Sequence, residues 1–144
     1  LMAKLKKPPL ARAIRADKLC LSALTATLLH YLKDEAVQEV PVWRMISTSP
    51  QDIESRALHW QDVLGRGEVL PGESTVGGGS LPGETLPTYL LALDVRSPDR
   101  FFAHLRAANP AVIARLQEDR VVFDPRTVLL EEEMTFLEIL RQAF

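Results

Sequence analysis

Three basic residues near the start of the chain, Arg12, Arg15 and Lys18, have the types and spacing that suit anion binding. Positions i, i+3 and i+6 lie on one side of a helix or helical turn. Two guanidinium groups placed side by side can bind one oxyanion through paired hydrogen bonds. A solvated basic face explains the same spacing, and both interpretations stay open on the residues alone.

Positive charge is concentrated in residues 1–18, which hold six basic residues and one acidic residue, Asp17. The 144-residue chain as a whole has 17 Lys and Arg against 19 Asp and Glu, a net charge of −2. A basic end on an acidic body attracts anionic partners such as phosphate or nucleic acid. A solvated terminus is the alternative, and charge alone favours it.

A glycine-rich loop is the second candidate for a functional role. It lacks the lysine and Ser/Thr of a Walker loop and does not match the spacing of a dinucleotide fingerprint. Three adjacent glycines indicate either a tight irregular turn with positive φ angles or a functional loop with close backbone packing. The loop consists of Gly77, Gly78, Gly79 and Ser80.

The other chemistry-bearing residues predict neither a metal site nor a nucleophile. His30, His59 and His104 have no partner at the spacing of a zinc motif. Cys20 lies among leucines, which predicts an inert core thiol. As the only cysteine it permits no internal disulfide, so it fits a reducing compartment such as the cytoplasm. Glu131–Glu133 is explained by the dipole at the start of a helix.

Hydrophobic periodicity predicts alternating helices and strands around these residues. Leu21, Leu24, Leu28 and Leu32 mark an amphipathic helix, and Ser49 is the expected cap of a second helix. The apolar run 19–29 is too short to span a membrane, which takes about 20 residues. The predicted elements are a helix from Arg12 to Lys33, a strand over 42–46, a helix over 49–65, a strand over 89–95, a helix over 97–108, a hairpin of 112–116 and 121–124, and a terminal helix with the stripe Leu130, Met134, Leu137 and Leu140.

This order of elements predicts an α+β domain with a mixed or antiparallel sheet covered by helices. Residues 71–87 are rich in Gly and Pro, and composition favours a flexible linker there. Four aromatic residues are candidates for the core or an interface: Trp43, Trp60, Phe101 and Phe102.

Three passages of the chain resemble bacterial selenocysteine synthase, the L-seryl-tRNA(Sec) selenium transferase family. Residues 5–32 (LKKPPLARAIRADKLCLSALTATLLHYL) are similar to the segment after that family's cofactor lysine. Residues 73–88 (ESTVGGGSLPGETLPT) are similar to its glycine loop, and residues 110–129 to its closing hairpin and Asp-x-Arg-Thr-Val stretch. Their order and spacing also agree, so the resemblance covers nearly the whole chain.

The resemblance implies a fold-type I enzyme of the aspartate aminotransferase superfamily that uses pyridoxal phosphate (PLP). This chain would be its C-terminal portion, with a basic connecting segment at 1–18 and the small α+β domain at 19–144. The implied reaction converts seryl-tRNA(Sec) to selenocysteinyl-tRNA(Sec) with selenophosphate. By motif, Arg12 and Arg15 would bind the selenophosphate oxyanion, and Lys18 belongs to the same motif.

The resemblance also implies a cytoplasmic homo-oligomer, a decamer of paired subunits. The family's cofactor-lysine motif does not occur in this sequence, so no catalytic residue is assigned and the isolated chain is expected to be inactive. Because Leu1 precedes Met2, we expect the chain to be a fragment. Two alternatives stay open: a PLP-dependent lyase or transferase paralogue acting on a free small amino acid, and a non-catalytic interaction domain with a basic arm.

Overall fold

The computed structural model of the chain describes residues 15–77 and 83–144. It forms two compact units, which divide between Trp43 and Arg44. Arg12, Gly78, Gly79 and Ser80 lie outside the described residues, and the predictions that concern them stay predictions.

The first unit contains helix α1 (Lys18–Leu32) and the short helix α2 (Ala36–Glu39). Asp17 caps α1, which therefore begins at Lys18, whereas the periodicity predicted a helix from Arg12. The predicted leucine stripe of α1 is present, but no residue of this helix is buried. Leu21, Leu24 and Leu28 are each about half exposed.

Helix α3 (Pro41–Ser47) replaces the strand predicted over Val42–Ile46, so that prediction was wrong. Its β-branched and aromatic residues favour a strand locally, but such preferences yield readily to context. Pro41 suits the first position of a helix because it has no N–H to donate there. At the other end, Thr48 Oγ1 donates to the Arg44 carbonyl at 2.7 Å and satisfies an acceptor that the helix leaves open.

Helix α4 (Pro50–Leu64) has the boundaries that its sequence predicts. The Ser49 side chain accepts a hydrogen bond from the Asp52 N–H at 3.1 Å and caps the start. Gly65 adopts a left-handed conformation, with φ of 64°, and ends the helix. Ile53, Ala57 and Trp60 form its buried face, as predicted.

An antiparallel four-stranded sheet forms the centre of the second unit, so the α+β prediction is confirmed. Its strands are β1 (Glu68–Thr75), β2 (Thr85–Leu93), β3 (Arg115–Gln117) and β4 (Arg120–Phe123). They lie in the order β1-β2-β4-β3, and every neighbouring pair is antiparallel. The predicted hairpin is confirmed, although its first strand begins at Arg115 and not at Val112. Glu118 and Asp119 have positive φ angles, as its two-residue turn requires.

The prediction of a flexible linker over 71–87 was wrong for the residues at both ends of that range, because they belong to paired strands. β1 and β2 align from Glu68 opposite Ala92 to Thr75 opposite Thr85. Glycine content suggested a linker, but the glycine at position 72 serves packing. A Cβ at Gly72 would come within 2.7 Å of Leu90 Cδ1. Pro71 is tolerated because β1 is an edge strand.

Three helices cover one face of the sheet: α4, α5 (Pro98–Ala107) and α6 (Glu133–Gln142). Trp60 lies at the centre of this core, with its ring centroid 4.5 Å from that of Phe136. The buried members of the core are Trp60, Leu91, Leu93, Phe101, Leu105, Val121, Phe123, Phe136, Leu137, Ile139 and Leu140. On the opposite face, Leu70 packs against a smaller apolar cluster of Leu90, Ala92 and Val122.

Of the four residues predicted to form the apolar stripe of the terminal helix, two are buried and two are exposed. Leu137 and Leu140 are buried, but Leu130 and Met134 are 64% and 67% exposed. Leu130 lies in a 3-10 turn before α6, so the helical periodicity does not extend to it. Among the predicted aromatic candidates, Trp60 and Phe101 belong to the core, Phe102 is half-buried and Trp43 is partly exposed.

Candidate functional site

The described part of the basic motif lies at the N-terminus of α1. Lys18 is the first residue of the helix, and Arg15 precedes the cap. Arg15 therefore lies outside the helix that Lys18 begins, and the binding of one anion by Arg12, Arg15 and Lys18 stays a prediction. Arg15 and Lys18 are both exposed, and within residues 15–77 and 83–144 neither is paired with a carboxylate.

Asp17, the one acid of this segment, is engaged by the helix itself. Its Oδ1 accepts from the Cys20 N–H at 2.8 Å, and its Oδ2 accepts from Cys20 Sγ at 3.4 Å. The backbone hydrogen bond from Cys20 lowers the pKa of Asp17 below its ordinary value. Cys20 is exposed, which corrects the prediction of a core thiol. The Asp17 carboxylate therefore stays ionised and is hydrogen-bonded to the first turn of α1, next in sequence to Lys18.

The glycine loop joins β1 to β2, and its two described ends have conformations that favour glycine. Gly77 has φ of 152° and Gly83 has φ of 85°. Beyond the paired strands, the Val76 N–H donates to Glu84 O at 3.3 Å and continues the pairing toward the loop. The choice between a tight turn and a functional loop stays open, since Gly78, Gly79 and Ser80 are not described.

A polar network surrounds the turn that follows β4, where the sequence reads Asp-Pro-Arg-Thr-Val. Asp124 accepts hydrogen bonds at both carboxylate oxygens. Ser74 Oγ donates to Oδ2, while Thr88 Oγ1 and the Arg126 N–H donate to Oδ1 at 2.8 and 3.0 Å. One carboxylate thus joins the turn to both strands of the glycine-loop hairpin.

Arg126 lies in the same turn and is only 5% exposed. Its Nη1 donates to carbonyls at the end of α3, and its Nη2 donates to the Pro87 carbonyl in β2 at 2.7 Å. Burial lowers the pKa of its guanidinium, and the charge of Asp124 opposes that shift. In the described part of the chain, its Nε is a buried atom without a hydrogen-bond partner. The α3 acceptors are Met45 O at 2.9 Å, Ile46 O at 3.3 Å and Thr48 O at 2.9 Å.

A second arginine holds the same turn from α4. Arg56 donates to the carbonyls of Pro125 and Val128, both at 2.8 Å. Its Nε also donates to Glu133 Oε2 at 2.8 Å, while Trp60 Nε1 donates to Glu133 Oε1 at 2.7 Å. The turn is therefore fixed by side chains from both sides.

These contacts revise the interpretation of the glutamate run. Glu133 is almost buried against Arg56, and Glu131 binds Arg44 through two hydrogen bonds of 2.7 and 2.8 Å. The hydrogen bonds from Arg44 lower the pKa of Glu131 to about 2. The helix dipole alone was thus not a sufficient explanation, because two of the three carboxylates have specific partners.

A cavity of about 580 Å³ opens beside the same turn. Apolar side chains such as Phe136 and Ile139 form part of its wall, and Thr75, Asp124 and Glu132 supply polar groups. None of the described residues that line it is a lysine. Within residues 15–77 and 83–144, no group of three His, Cys, Asp or Glu side chains has the arrangement of a metal site.

Reasoning from the residues missed the roles of Arg56, Asp124 and Arg126. Except for the Arg126 N–H, which donates to Asp124 two positions away, their partners lie 36 to 81 positions away in the chain, where local patterns do not reveal them. The only signal was the resemblance of the Asp-Pro-Arg-Thr-Val stretch to a family motif.

Comparison with known proteins decides the family. A family model described as L-seryl-tRNA selenium transferase matches residues 1–129. The chain belongs to the L-seryl-tRNA selenium transferase family. The family that the three sequence passages predicted is thereby confirmed.

Several curated relatives bear the name L-seryl-tRNA(Sec) selenium transferase. The protein of Carboxydothermus hydrogenoformans is 39% identical over 91% of this chain. Those of Hyphomonas neptunium and Solidesulfovibrio magneticus are 42% and 40% identical, each over 99% of it. The chain spans only 30% to 33% of the length of these three relatives.

The selenium transferase match includes the basic motif of the first unit and two features of the second unit. The basic motif, the glycine-loop hairpin and the Asp124 turn lie within residues 1–129, whereas α6 lies beyond them. No helix among the described residues has the length and apolar character needed to cross a membrane.

Proposed function

We propose that this chain is the C-terminal part of a PLP-dependent L-seryl-tRNA(Sec) selenium transferase. The whole enzyme converts seryl-tRNA(Sec) to selenocysteinyl-tRNA(Sec) with selenophosphate in the cytoplasm. The observation that carries the proposal is the family match over residues 1–129, together with relatives of 39% to 42% identity.

In this proposal, the chain's own contribution to the reaction is to bind selenophosphate. Arg12 and Arg15 bind its oxyanion, and Lys18 adds positive charge beside them. The hydrogen bonds that hold the Asp17 carboxylate at the helix cap support this role, because among the described residues this carboxylate forms no ion pair with Arg15 or Lys18. The exposure of Arg15 and Lys18 supports it too, since a ligand can reach both side chains.

PLP supplies the electron sink when bound to the whole enzyme. The described residues do not fit the site of this cofactor, which a lysine holds in such enzymes. Lys18 and Lys33 are the lysines among them, both are exposed, and the 580 Å³ cavity has no lysine in its wall. The proposal therefore assigns the cofactor lysine to the remainder of the longer protein.

The exposed apolar surface of the first unit supports a larger assembly, which we propose is a homo-oligomer. Contiguous exposed apolar surface commonly marks an interface. Leu19 and Leu32 are each 83% exposed, and Val42 is about half exposed. A fold-type I architecture for the whole enzyme, with this chain as its small domain, agrees with the antiparallel sheet and its helices.

The test uses the full-length enzyme with seryl-tRNA(Sec) and selenophosphate and measures selenocysteinyl-tRNA(Sec). Hydrogen bonds to charged groups are worth about 1.5–3 kcal/mol each, so the double variant Arg12→Ala, Arg15→Ala should lose at least about a hundredfold in kcat/KM. PLP absorbance should be unchanged. The matched control is Arg96→Ala, Arg106→Ala, which removes two exposed arginines of the second unit.

Other results would contradict the proposal in distinct ways. Bound PLP with consumption of a free amino acid and no selenocysteinyl-tRNA(Sec) would favour the paralogous lyase or transferase. A full-length protein that binds no PLP would favour a non-catalytic interaction domain. The isolated 144-residue chain is expected to be inactive, and turnover by it would contradict the assignment of the lysine.

A further inference from the structure

We propose that Asp17 is a positioning residue for anion binding, because it fixes the start of α1 and with it the places of Arg15 and Lys18. The inference rests on the proposed function, in which these two basic side chains bind selenophosphate together with Arg12. The charge of Asp17 itself opposes an anion, so its role is exerted through the helix and not through contact with the substrate.

Asp17 fixes the first turn of α1 with both its side chain and its main chain. Its Oδ1 accepts from the Cys20 N–H at 2.8 Å, and Cys20 Sγ donates to its Oδ2 at 3.4 Å. The Asp17 carbonyl also accepts from the Leu21 N–H at 3.2 Å, which is the first bond of the helix. A single residue therefore sets the point at which helical geometry begins.

Packing does not hold this end of α1 in the described part of the chain. No residue of the helix is buried, and the residues of its first turn are exposed. A helix end without acceptors for its free N–H groups frays. Within residues 15–77 and 83–144, Asp17 is the side chain that accepts from that turn, so the start of α1 depends on it.

The charges of the basic motif make this cap more important than an ordinary one. A helix N-terminus carries a partial positive charge, so a cation there is unfavourable. Lys18 is the first residue of α1, Arg15 lies three positions before it, and the first turn contains no acidic residue. Asp17 is the one acid among residues 1–18 and stands at the cap, where a carboxylate offsets this conflict.

Asp17 also leaves the donors of the two cations unoccupied by its own carboxylate. Among the described residues it forms no ion pair with Arg15 or Lys18, and both of its oxygens accept from Cys20. The acid therefore fixes the chain between two basic residues without neutralising either of them. An anion-binding motif at a helix start requires this combination.

The test uses the full-length enzyme and separates the cap from the charge. Asp17→Ala removes both, whereas Asp17→Asn removes the charge and keeps a cap, because asparagine caps a helix as well as aspartate does. Ser49→Ala is the matched control, since Ser49 caps α4 in the second unit by accepting from the Asp52 N–H at 3.1 Å. We would measure kcat, the KM for selenophosphate and for seryl-tRNA(Sec), and hydrogen exchange of the Cys20 amide.

We expect Asp17→Ala to raise the KM for selenophosphate about two- to thirtyfold, the range that loss of a cap gives when a frayed helix end binds poorly. Exchange of the Cys20 amide should become faster, while kcat and the KM for seryl-tRNA(Sec) stay within about twofold. Asp17→Asn should keep the KM for selenophosphate below about twice the wild-type value. Ser49→Ala should lower thermal stability and leave that KM unchanged.

A double-variant cycle tests whether Asp17 acts through the basic residues. In an enzyme that already carries Arg15→Ala and Lys18→Ala, adding Asp17→Ala should change the KM for selenophosphate by less than about twofold. The reason is that the side chains that Asp17 positions are then absent.

Three results would overturn the inference while the proposed function stands. One is an unchanged KM for selenophosphate in Asp17→Ala, and another is an Asp17→Asn enzyme as impaired as Asp17→Ala, which would assign the effect to charge. The third is a full effect of Asp17→Ala in the enzyme without Arg15 and Lys18. If the variant Arg15→Ala, Lys18→Ala itself kept the wild-type KM for selenophosphate, the proposed binding role would fail, and this inference with it.

Discussion

Replacing Arg126 with methionine is expected to destabilise the second unit strongly. The variant keeps a long side chain but removes the donors to four carbonyl oxygens, those of Met45, Ile46, Thr48 and Pro87. Three of these carbonyls belong to partly buried residues and Pro87 is exposed, so the usual cost of about 1–3 kcal/mol for a buried acceptor left without a donor applies at most to the first three. The variant also removes a buried charge, whose desolvation costs several kcal/mol, so the two effects oppose each other.

The balance favours the arginine. Hydrogen bonds to charged groups are worth about 1.5–3 kcal/mol each, and the three to partly buried carbonyls, less the relief of desolvation, give an expected cost of about 3–5 kcal/mol for Arg126→Met. The whole stability of a domain is only about 5–15 kcal/mol. A domain of this size loses about 4–8 °C in Tm for each kcal/mol, so the Tm should fall by more than about 10 °C.

Urea unfolding of the chain, followed by circular dichroism and by the fluorescence of buried Trp60, measures this change. Arg126→Lys should lie between wild type and Arg126→Met, because lysine keeps the charge but not the fork of donors that spans α3 and β2. Arg96→Met, at an exposed position, should change stability by no more than about 0.5 kcal/mol. If Arg126→Met cost less than about 1 kcal/mol, the buried hydrogen bonds would not be what holds the turn.

Two further predictions concern glycine geometry and an ion pair. Gly67→Ala should destabilise by about 1–3 kcal/mol in urea unfolding, because φ is +93° and the new Cβ would lie 2.6 Å from Leu93 Cδ2. Gly65→Ala should cost less, since nothing lies within 4 Å there; equal losses would show that packing at Gly67 is unimportant. Arg44 lowers the pKa of Glu131 from 4.5 to about 2, so this carboxylate stabilises the fold above pH 4.5 and loses that effect as pH falls through about 2. The free energy of unfolding of Glu131→Gln should therefore fall less steeply than that of wild type as pH decreases over that range. An unchanged slope would contradict the pairing.

Local patterns predicted the elements whose signals are complete within a few residues. Helix α4 has its cap at Ser49 and its stop at Gly65, and the β3–β4 hairpin has its turn at Glu118 and Asp119. These interactions join near neighbours, so the sequence order already contains them. The buried face of α4 follows for the same reason, because its helical period places Ile53 and Trp60 on one side.

Elements whose partners are distant in sequence were mispredicted. β1 resembles a linker in composition, and it becomes a strand because β2 supplies the hydrogen-bonding partner and Leu90 needs the space at Gly72. α3 resembles a strand, and its final carbonyls bind Arg126 from about 80 positions away. Propensity is a weak guide where such contacts decide the outcome.

The sequence by itself determined the α+β class, the helix caps, the basic motif and the family, because each depends on residue types and their order. The tertiary structure decided the antiparallel strand order, the pairing of Glu131 and Glu133 with arginines, and the hydrogen bonds from Ser74 and Thr88 to Asp124. The physical reason is that a buried charge needs partners in three dimensions, and only the folded chain brings together groups so far apart in sequence.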